Sequence, residues 1–367
     1  MMNGLFSCWV NFVNQRCGAP ILRVAASAGL IGVLVVGGGR TVVAGPPDKV
    51  VRAGGGSPIE IQIDKYGFEW CVVGDVNNPP FPGNVFNGSR KGAGVVPYKY
   101  RIMRTELTTE QYLEFLDAYW PYYDGNPLSI DFTGLFIFAR WEGDHPVYDI
   151  MKNYEQVPTT ISLRMAARYC NWLQNGKSNE QWAFDGGVYD ATTFTRNEDG
   201  TFNDDYTRSP DARYWIPNVD EWMKAAYYDP NRWDTGRGGW WDFPNQTDQP
   251  LIIGFPAESG EIPIPTQIAK AGITGETNGS LDNFPAKGLS SGSYPWVQSP
   301  WGLRDVSGGI SELALPWEMG SSFLFQWWQI TNLDSAGMIG LPAIEFPASS
   351  SRWGLRLASR IPTQNQR

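Results

Sequence analysis

The residues able to do chemistry in this chain are few and widely spaced. Four cysteines and one histidine occur in 367 residues, and that scarcity excludes any metal site built from several histidines. The histidine, His145, stands in Asp144-His145-Pro146-Val147. No cysteine or serine nucleophile motif accompanies it, so it reads as a hydrogen-bonded turn residue rather than a general base. Asn197, Asp199, Asn203, Asp204 and Asp205 cluster around Asp199-Gly200. Setting Gly200 at the glycine of a calcium-binding loop puts Thr195 first and Tyr206 last, where that loop needs carboxylates. The calcium reading fails there, and a surface hairpin flanked by Phe194-Thr195 and Thr201-Phe202 is the better account.

Tryptophan is the residue in excess. Seventeen tryptophans, 41 glycines and 27 prolines against 18% charged residues describe a loop-rich fold held by large aromatics, not a helical bundle. Aromatic faces also stack on sugars or anchor peptides. Trp240, Trp241, Trp327, Trp328 and Trp353 are therefore the candidate ligand-binding residues, with Trp296 and Trp301 in similar loops. Each of them also fits a core position in a helix-poor fold. Trp327 and Trp328 are adjacent, so in a strand they point to opposite faces.

The elements that must position these residues can be read in order. Residues 1–44 have the features of a secretory signal: Arg16 and Arg23, then the apolar run Val24–Val36, then Val42-Val43-Ala44 as a small-residue cleavage site. The run is too short for a comfortable membrane span, so a cleaved chain is expected to be secreted or periplasmic and not membrane-spanning. An uncleaved N-terminal anchor is the alternative. Cleavage would remove Arg16, Arg23 and Arg40, making the formal net charge of −9 three units more negative. So acidic a protein repels nucleic acid. Cys8 and Cys17 would leave as well, and Cys71 and Cys170 could then pair in an oxidising compartment. Equally, Cys170 fits a small buried hydrophobe on the inner face of a helix.

Residues 45–58 are a Gly/Pro-rich lead-in and 361–367 a tail, leaving 59–360 for the folded domain. Ile59–Ile63, Tyr66–Gly74 and Val95–Met103 are strand candidates. Thr108 opens a helix with Gln111 at its third position, and a second helix runs from Ser162 to Asn175. Asn218 and Glu221 form a capping box for a third, with Trp222, Ala225 and Ala226 on one face and Asp229-Pro230 beyond its end. Residues 240–299 read mostly as ordered loop, and Trp353–Ala358 as a closing strand that carries Arg356.

Pro217-Asn218-Val219-Asp220-Glu221-Trp222 with Ala225-Ala226 resembles the Leu-Pro-Thr-Glu-x-Glu-Trp-Glu-x-Ala-Ala signature of the sulfatase-modifying-factor domain, the domain of formylglycine-generating enzymes. Further motifs follow in the family order. Glu106-Leu107-Thr108, His145-Pro146-Val147, Ile161-Ser162, Tyr169-Cys170-Asn171-Trp172-Leu173, Gly302-Leu303-Arg304-Asp305-Val306 and Gly354-Leu355-Arg356 are each similar to a family segment. The resemblance implies one α+β domain of irregular, C-type-lectin-like type, with few helices, twisted antiparallel sheets and long ordered loops. Exported bacterial members of unassigned activity look most alike.

The departures from the family bear on function. Its enzymes hold copper with two thiolates near the C-terminus, and no cysteine follows Cys170, so copper is not expected here. The family's Gly-Asn-Val-Trp-Glu-Trp, tied to a structural calcium, resembles Gly308-Gly309-Ile310-Ser311-Glu312-Leu313. Glu312 is kept as an oxygen ligand while the Asn carbonyl is lost, which leaves a structural calcium at Glu312 an open expectation. The reading that follows is a non-catalytic binding module for a glycan or an envelope protein. The alternative is an oxidoreductase of the same family with altered metal chemistry.

Overall fold

The computed structural model describes residues 50–51, 59–83, 91–195, 197–198, 203–233, 237–248, 252–253, 268–269, 290–295, 297–306, 310, 312–315, 328–330 and 353–362. The chain divides between Gly45 and Pro46, and every described residue lies in the second unit. The expected signal at 1–44 falls outside them. No helix among the described residues is long and apolar enough to cross a membrane.

Apolar alternation builds the first strands. β1 (Val50–Val51) pairs with β2 (Ile59–Ile63), β2 with β3 (Glu69–Val73), and β3 with β4 (Tyr100–Met103), all antiparallel. Ile59 and Ile61 are buried as the pattern predicts, but Ile63 is 68% exposed while Gln62 is buried. The inversion has a polar cause, because Gln62 accepts from Arg101 at 3.2 Å across the sheet. A buried amide with a partner costs far less than one without.

Three side-chain caps then start the helices. At α1 (Thr109–Tyr119) Thr108 accepts from Gln111 and Gln111 returns the bond, so the capping box is complete. α2 (Ile130–Thr133) is one turn, and it leads into the hairpin β5 (Ile137–Glu142) and β6 (His145–Ile150). Ser162 caps α3 (Leu163–Gln174), which is followed by the single turn α4 (Trp182–Asp185). The expected helix Ser162–Asn175 is thus α3 with its two caps. Next come β7 (Tyr214–Trp215) and α5 (Val219–Tyr227), whose capping box joins Asn218 to Glu221.

After α5 the chain forms the hairpin β8 (Tyr228–Trp233) and β9 (Arg237–Trp240). A short parallel pair, β10 (Ile252–Ile253) with β11 (Ile268–Ala269), follows. β12 (Glu312–Ala314) pairs with β13 (Trp328–Ile330), and β14 (Ala358–Ser359) is inserted between β4 and β7. The principal sheet therefore has the order β1-β2-β3-β4-β14-β7, with the last of the described strands an interior one, next to the edge strand β7. The result is an α+β architecture of few helices and largely antiparallel sheets.

Aromatic rings fill the core, as the composition predicts. Phe115 on α1 packs with Tyr169 and Trp172 on α3 and with Phe184 on α4, at centroid distances of 5.3, 5.7 and 5.9 Å. Trp70, Trp172 and Trp222 are fully buried. Cys71 in β3 and Cys170 in α3 are both free and buried. Of the two alternatives for the cysteines, the buried thiol is the one observed. Asn203 N donates to the Thr195 carbonyl at 3.2 Å; the turn of the expected hairpin, at Asp199-Gly200, lies outside the described residues.

Candidate ligand-binding surface

The tryptophans singled out by sequence do not share one face. Trp240 ends β9 and is buried. Its ring lies between Phe81 and Tyr228, at 5.5 and 5.3 Å, and its Nε1 donates to the Pro79 carbonyl at 3.0 Å. Gly94, at φ +85°, makes room for it, since a Cβ there would sit 2.1 Å from the ring. Trp240 is thus a core residue with no free face, and the expectation that it stacks on ligand is replaced by a packing role. Trp241 is half-buried beneath the Arg232 guanidinium, 4.4 Å from its centroid, and bonds Asp229 at 3.2 Å. Trp353 is half-buried where it bridges to Ile161. Trp328 lies in β13 opposite Ala314. Trp327 and Trp296 lie outside the described residues.

Glu312 is an internal ion-pair partner. Its Oε1 accepts from Arg356 Nη2 at 2.9 Å, and its Oε2 accepts from Arg356 Nε at 3.0 Å and from Trp222 Nε1 at 2.8 Å. Glu106 lies 3.7 Å from the same guanidinium. Burial alone would lower the Arg356 pKa, but Glu312 and Glu106 more than offset it and hold the group charged. Both Glu312 oxygens therefore face a cation and an indole N–H already, an arrangement that pins β12 to the segment before β14. No group of three or more His, Cys, Asp or Glu placed to hold a metal occurs among the described residues.

The surface best equipped for a ligand lies elsewhere, between α1 and the β5–β6 hairpin. The hairpin turns at Gly143-Asp144 with Gly143 at φ +67°, the first-position glycine that a two-residue type II′ turn needs. Register places Ala139 opposite Tyr148 and Trp141 opposite Pro146, so these four share one face. The other face carries Phe138, Arg140, Glu142 and His145. There Arg140 bonds Glu142 and Asp149, and His145 is exposed beside Asp144 at 3.5 Å. His145 is thus a turn-flanking surface residue, as its sequence context suggests.

On the inner face Trp141 is 50% exposed, and its ring meets that of Trp120 at 6.4 Å and 87°. Trp120 caps α1, and Asp117 lies one helical turn before it on the same edge. Partial burial pushes the Asp117 carboxyl above its ordinary pKa. Burial first, and the Asp117 charge second, push the Tyr148 phenol well up. The Tyr148 hydroxyl is buried with no hydrogen-bond partner among the described residues. A buried hydroxyl without a partner costs about 1–3 kcal/mol, a cost that a group reaching it would recover. Two perpendicular indoles, a carboxylate acceptor and a phenol donor therefore border one corner. Two signals for this hairpin stand in the sequence, Glu142-Gly143-Asp144-His145 as a turn and the aromatic Phe138 and Trp141 around it, but its strands lack a clean alternation.

No family model matches this chain, and no curated protein does. Among solved structures, CarF is similar at 17% identity and a TM-score of 0.43, over 81% of this chain and 100% of that one. PvdO from Pseudomonas aeruginosa is similar at 14% identity and a TM-score of 0.42, over 83% and 99%. Treponema denticola variable protein 1 follows at 16% identity and 0.39, over 86% and 100%. These likenesses are of structure alone, at scores too low to carry an argument about function.

Proposed function

We propose that this chain is an exported, non-catalytic binding module of the sulfatase-modifying-factor type, on an irregular C-type-lectin-like fold, and that it binds a glycan at the Trp120–Trp141 corner. The observation that carries the reading is the 87° indole pair with Asp117 and Tyr148 beside it. Sugars present apolar C–H faces and hydroxyl edges at once, and aromatic faces bordered by a hydrogen-bond donor and an acceptor match both. The ordered series of family-like motifs supports the fold and the export signal supports the location.

The cysteines support a role without copper. A copper-binding thiol must be a thiolate, whereas burial pushes the Cys71 thiol up to about 12 and the Cys170 thiol higher still. They also stand on separate elements, β3 and α3.

The test is a glycan array probed with the purified protein, followed by titration of any ligand found, read by tryptophan fluorescence. Trp141→Ala is expected to weaken binding at least tenfold, about 1.4 kcal/mol, with the urea midpoint unchanged because the ring is half-exposed. Binding that survives this substitution would remove the corner from the reading. Formation of an aldehyde on a sulfatase-type cysteine peptide, with copper and oxygen supplied, would overturn the non-catalytic reading itself.

A further inference from the structure

The charge at the Trp120–Trp141 corner is of one sign. Trp120 is the C-cap of α1, so the corner stands at a helix C-terminus, where the aligned peptide dipoles leave partial negative charge. Lys or Arg commonly offsets that charge from the last turn. The last turn of α1 has no basic residue, and Asp117 stands in it instead.

Asp117 has no ion-pair partner among the described residues, and burial alone raises its pKa, with no cation acting on it in the other direction. Its charge acts on the Tyr148 phenol across from the helix, so the carboxylate bears on the inner face of the β5–β6 hairpin. The hairpin supplies no countercharge there. Its one Lys or Arg is Arg140, which alternation puts on the outer face, where it bonds Glu142 and Asp149. The indoles add to the same field. They meet at 87°, and the π face of an indole is its negative side.

These charges separate one kind of sugar from another. A neutral ligand covering the corner would strip water from Asp117 and bring it no countercharge, a cost that hydroxyl groups recover only in part. A ligand that carries a cation recovers that cost and gains the attraction of the ring faces as well. We infer that the sugar bound at this corner carries a protonated amine, that is, an unacetylated amino sugar, with its ammonium group toward Asp117 and the two indoles. The inference rests on the glycan reading above and adds the charge of the sugar to it.

The test compares oligomers of glucosamine, N-acetylglucosamine and glucose, equal in length and linkage, below the pKa of the sugar amine. Binding to the full chain is read by tryptophan fluorescence. The glucosamine oligomer is expected to bind about tenfold more tightly than either neutral one. Asp117→Asn should remove that preference and Asp117→Glu should keep it. A chain of formal net charge −9 attracts any polycation, so Asp144→Asn, which removes an exposed charge at the hairpin turn, is the control and should leave the preference intact. Neutral oligomers that bind as tightly as the amine, with binding lost in Trp141→Ala, would overturn the inference and leave the glycan reading standing. A preference that survives in Asp117→Asn, or no binding of the glucosamine oligomer, would overturn it too. A lysine-rich peptide that binds more tightly than the glucosamine oligomer, and needs both Trp141 and Asp117, would overturn the sugar and the glycan reading together.

Discussion

Replacing Glu221 by alanine should destabilise this protein more than any other single change at the start of α5. Glu221 is fully buried, yet its carboxylate gathers four donors from three parts of the chain. Tyr98 Oη donates at 2.6 Å, Arg208 Nη1 at 3.1 Å, Trp215 Nε1 at 3.0 Å and the Asn218 backbone N–H at 2.8 Å. Losing the reciprocal cap alone costs about 1 kcal/mol. The buried phenol and indole donors lose their acceptor at about 1–3 kcal/mol each if water does not replace it. Arg208 is partly exposed, so solvent recovers much of its share. The total is about 4 kcal/mol, a large part of the ~5–15 kcal/mol that holds a typical domain folded. Asn218→Ala removes only the local half of the box and should cost about 1 kcal/mol. Urea unfolding followed by tryptophan fluorescence measures both, with stability read from the midpoint at constant m. If Glu221→Ala shifts the midpoint no further than Asn218→Ala does, the carboxylate is not the tie between β4, β7 and α5 that the geometry describes.

Two further outcomes concern buried titratable groups. Burial lowers the Lys224 amine from 10.5 to about 8, against the opposing pull of Asp75, whose carbonyl it bonds at 2.8 Å. Between pH 8 and 10.5 the unfolded chain holds the proton that the folded chain has released, so stability from this group rises with pH across that window. Subtracting the profile of Lys224→Met from that of the parent, measured by urea unfolding between pH 7.5 and 9.5, should leave a positive slope, and parallel profiles would contradict it. Cys71 and Cys170 are free, buried and raised in pKa. With Cys8 and Cys17 replaced by serine, the native protein should resist a thiol-specific disulfide reagent and the denatured protein should react twice. Rapid native labelling, or no thiol after denaturation, is the contrary result.

The parts of the fold that could be read from sequence are those whose physics is local. Thr108 with Gln111, Ser162, and Asn218 with Glu221 were all visible, because a cap is closed by residues three apart and needs nothing from the rest of the chain. Its tertiary use was not visible. That Glu221 would also hold Tyr98, Arg208 and Trp215 depends on β4 and β7 arriving beside α5, and they arrive only because β14 is inserted between them. Arg356 could be placed in the closing strand from sequence. Its partner, Glu312, was instead read as a metal ligand, since sequence alone does not show that a carboxylate 44 residues away meets that guanidinium.

The tryptophans show the same limit from the side of function. Residue type marks Trp240 and Trp141 alike, and loop position favoured Trp240. What separates them is where the rest of the chain leaves each indole. Trp240 is enclosed because Gly94 at positive φ, Phe81 and the Pro79 carbonyl, all far away in sequence, form its pocket. Trp141 stays half-exposed where a two-residue turn ends its strand one residue later, with Trp120 edge-on to it and Pro146 opposite. An indole whose ring is enclosed and whose N–H is bonded inside, as in Trp215, Trp222 and Trp240, has neither face nor donor left for a ligand. A binding role in a tryptophan-rich fold therefore belongs to the rings that packing leaves over. Trp141, half-exposed and on the same hairpin face as the unbonded Tyr148, is such a ring.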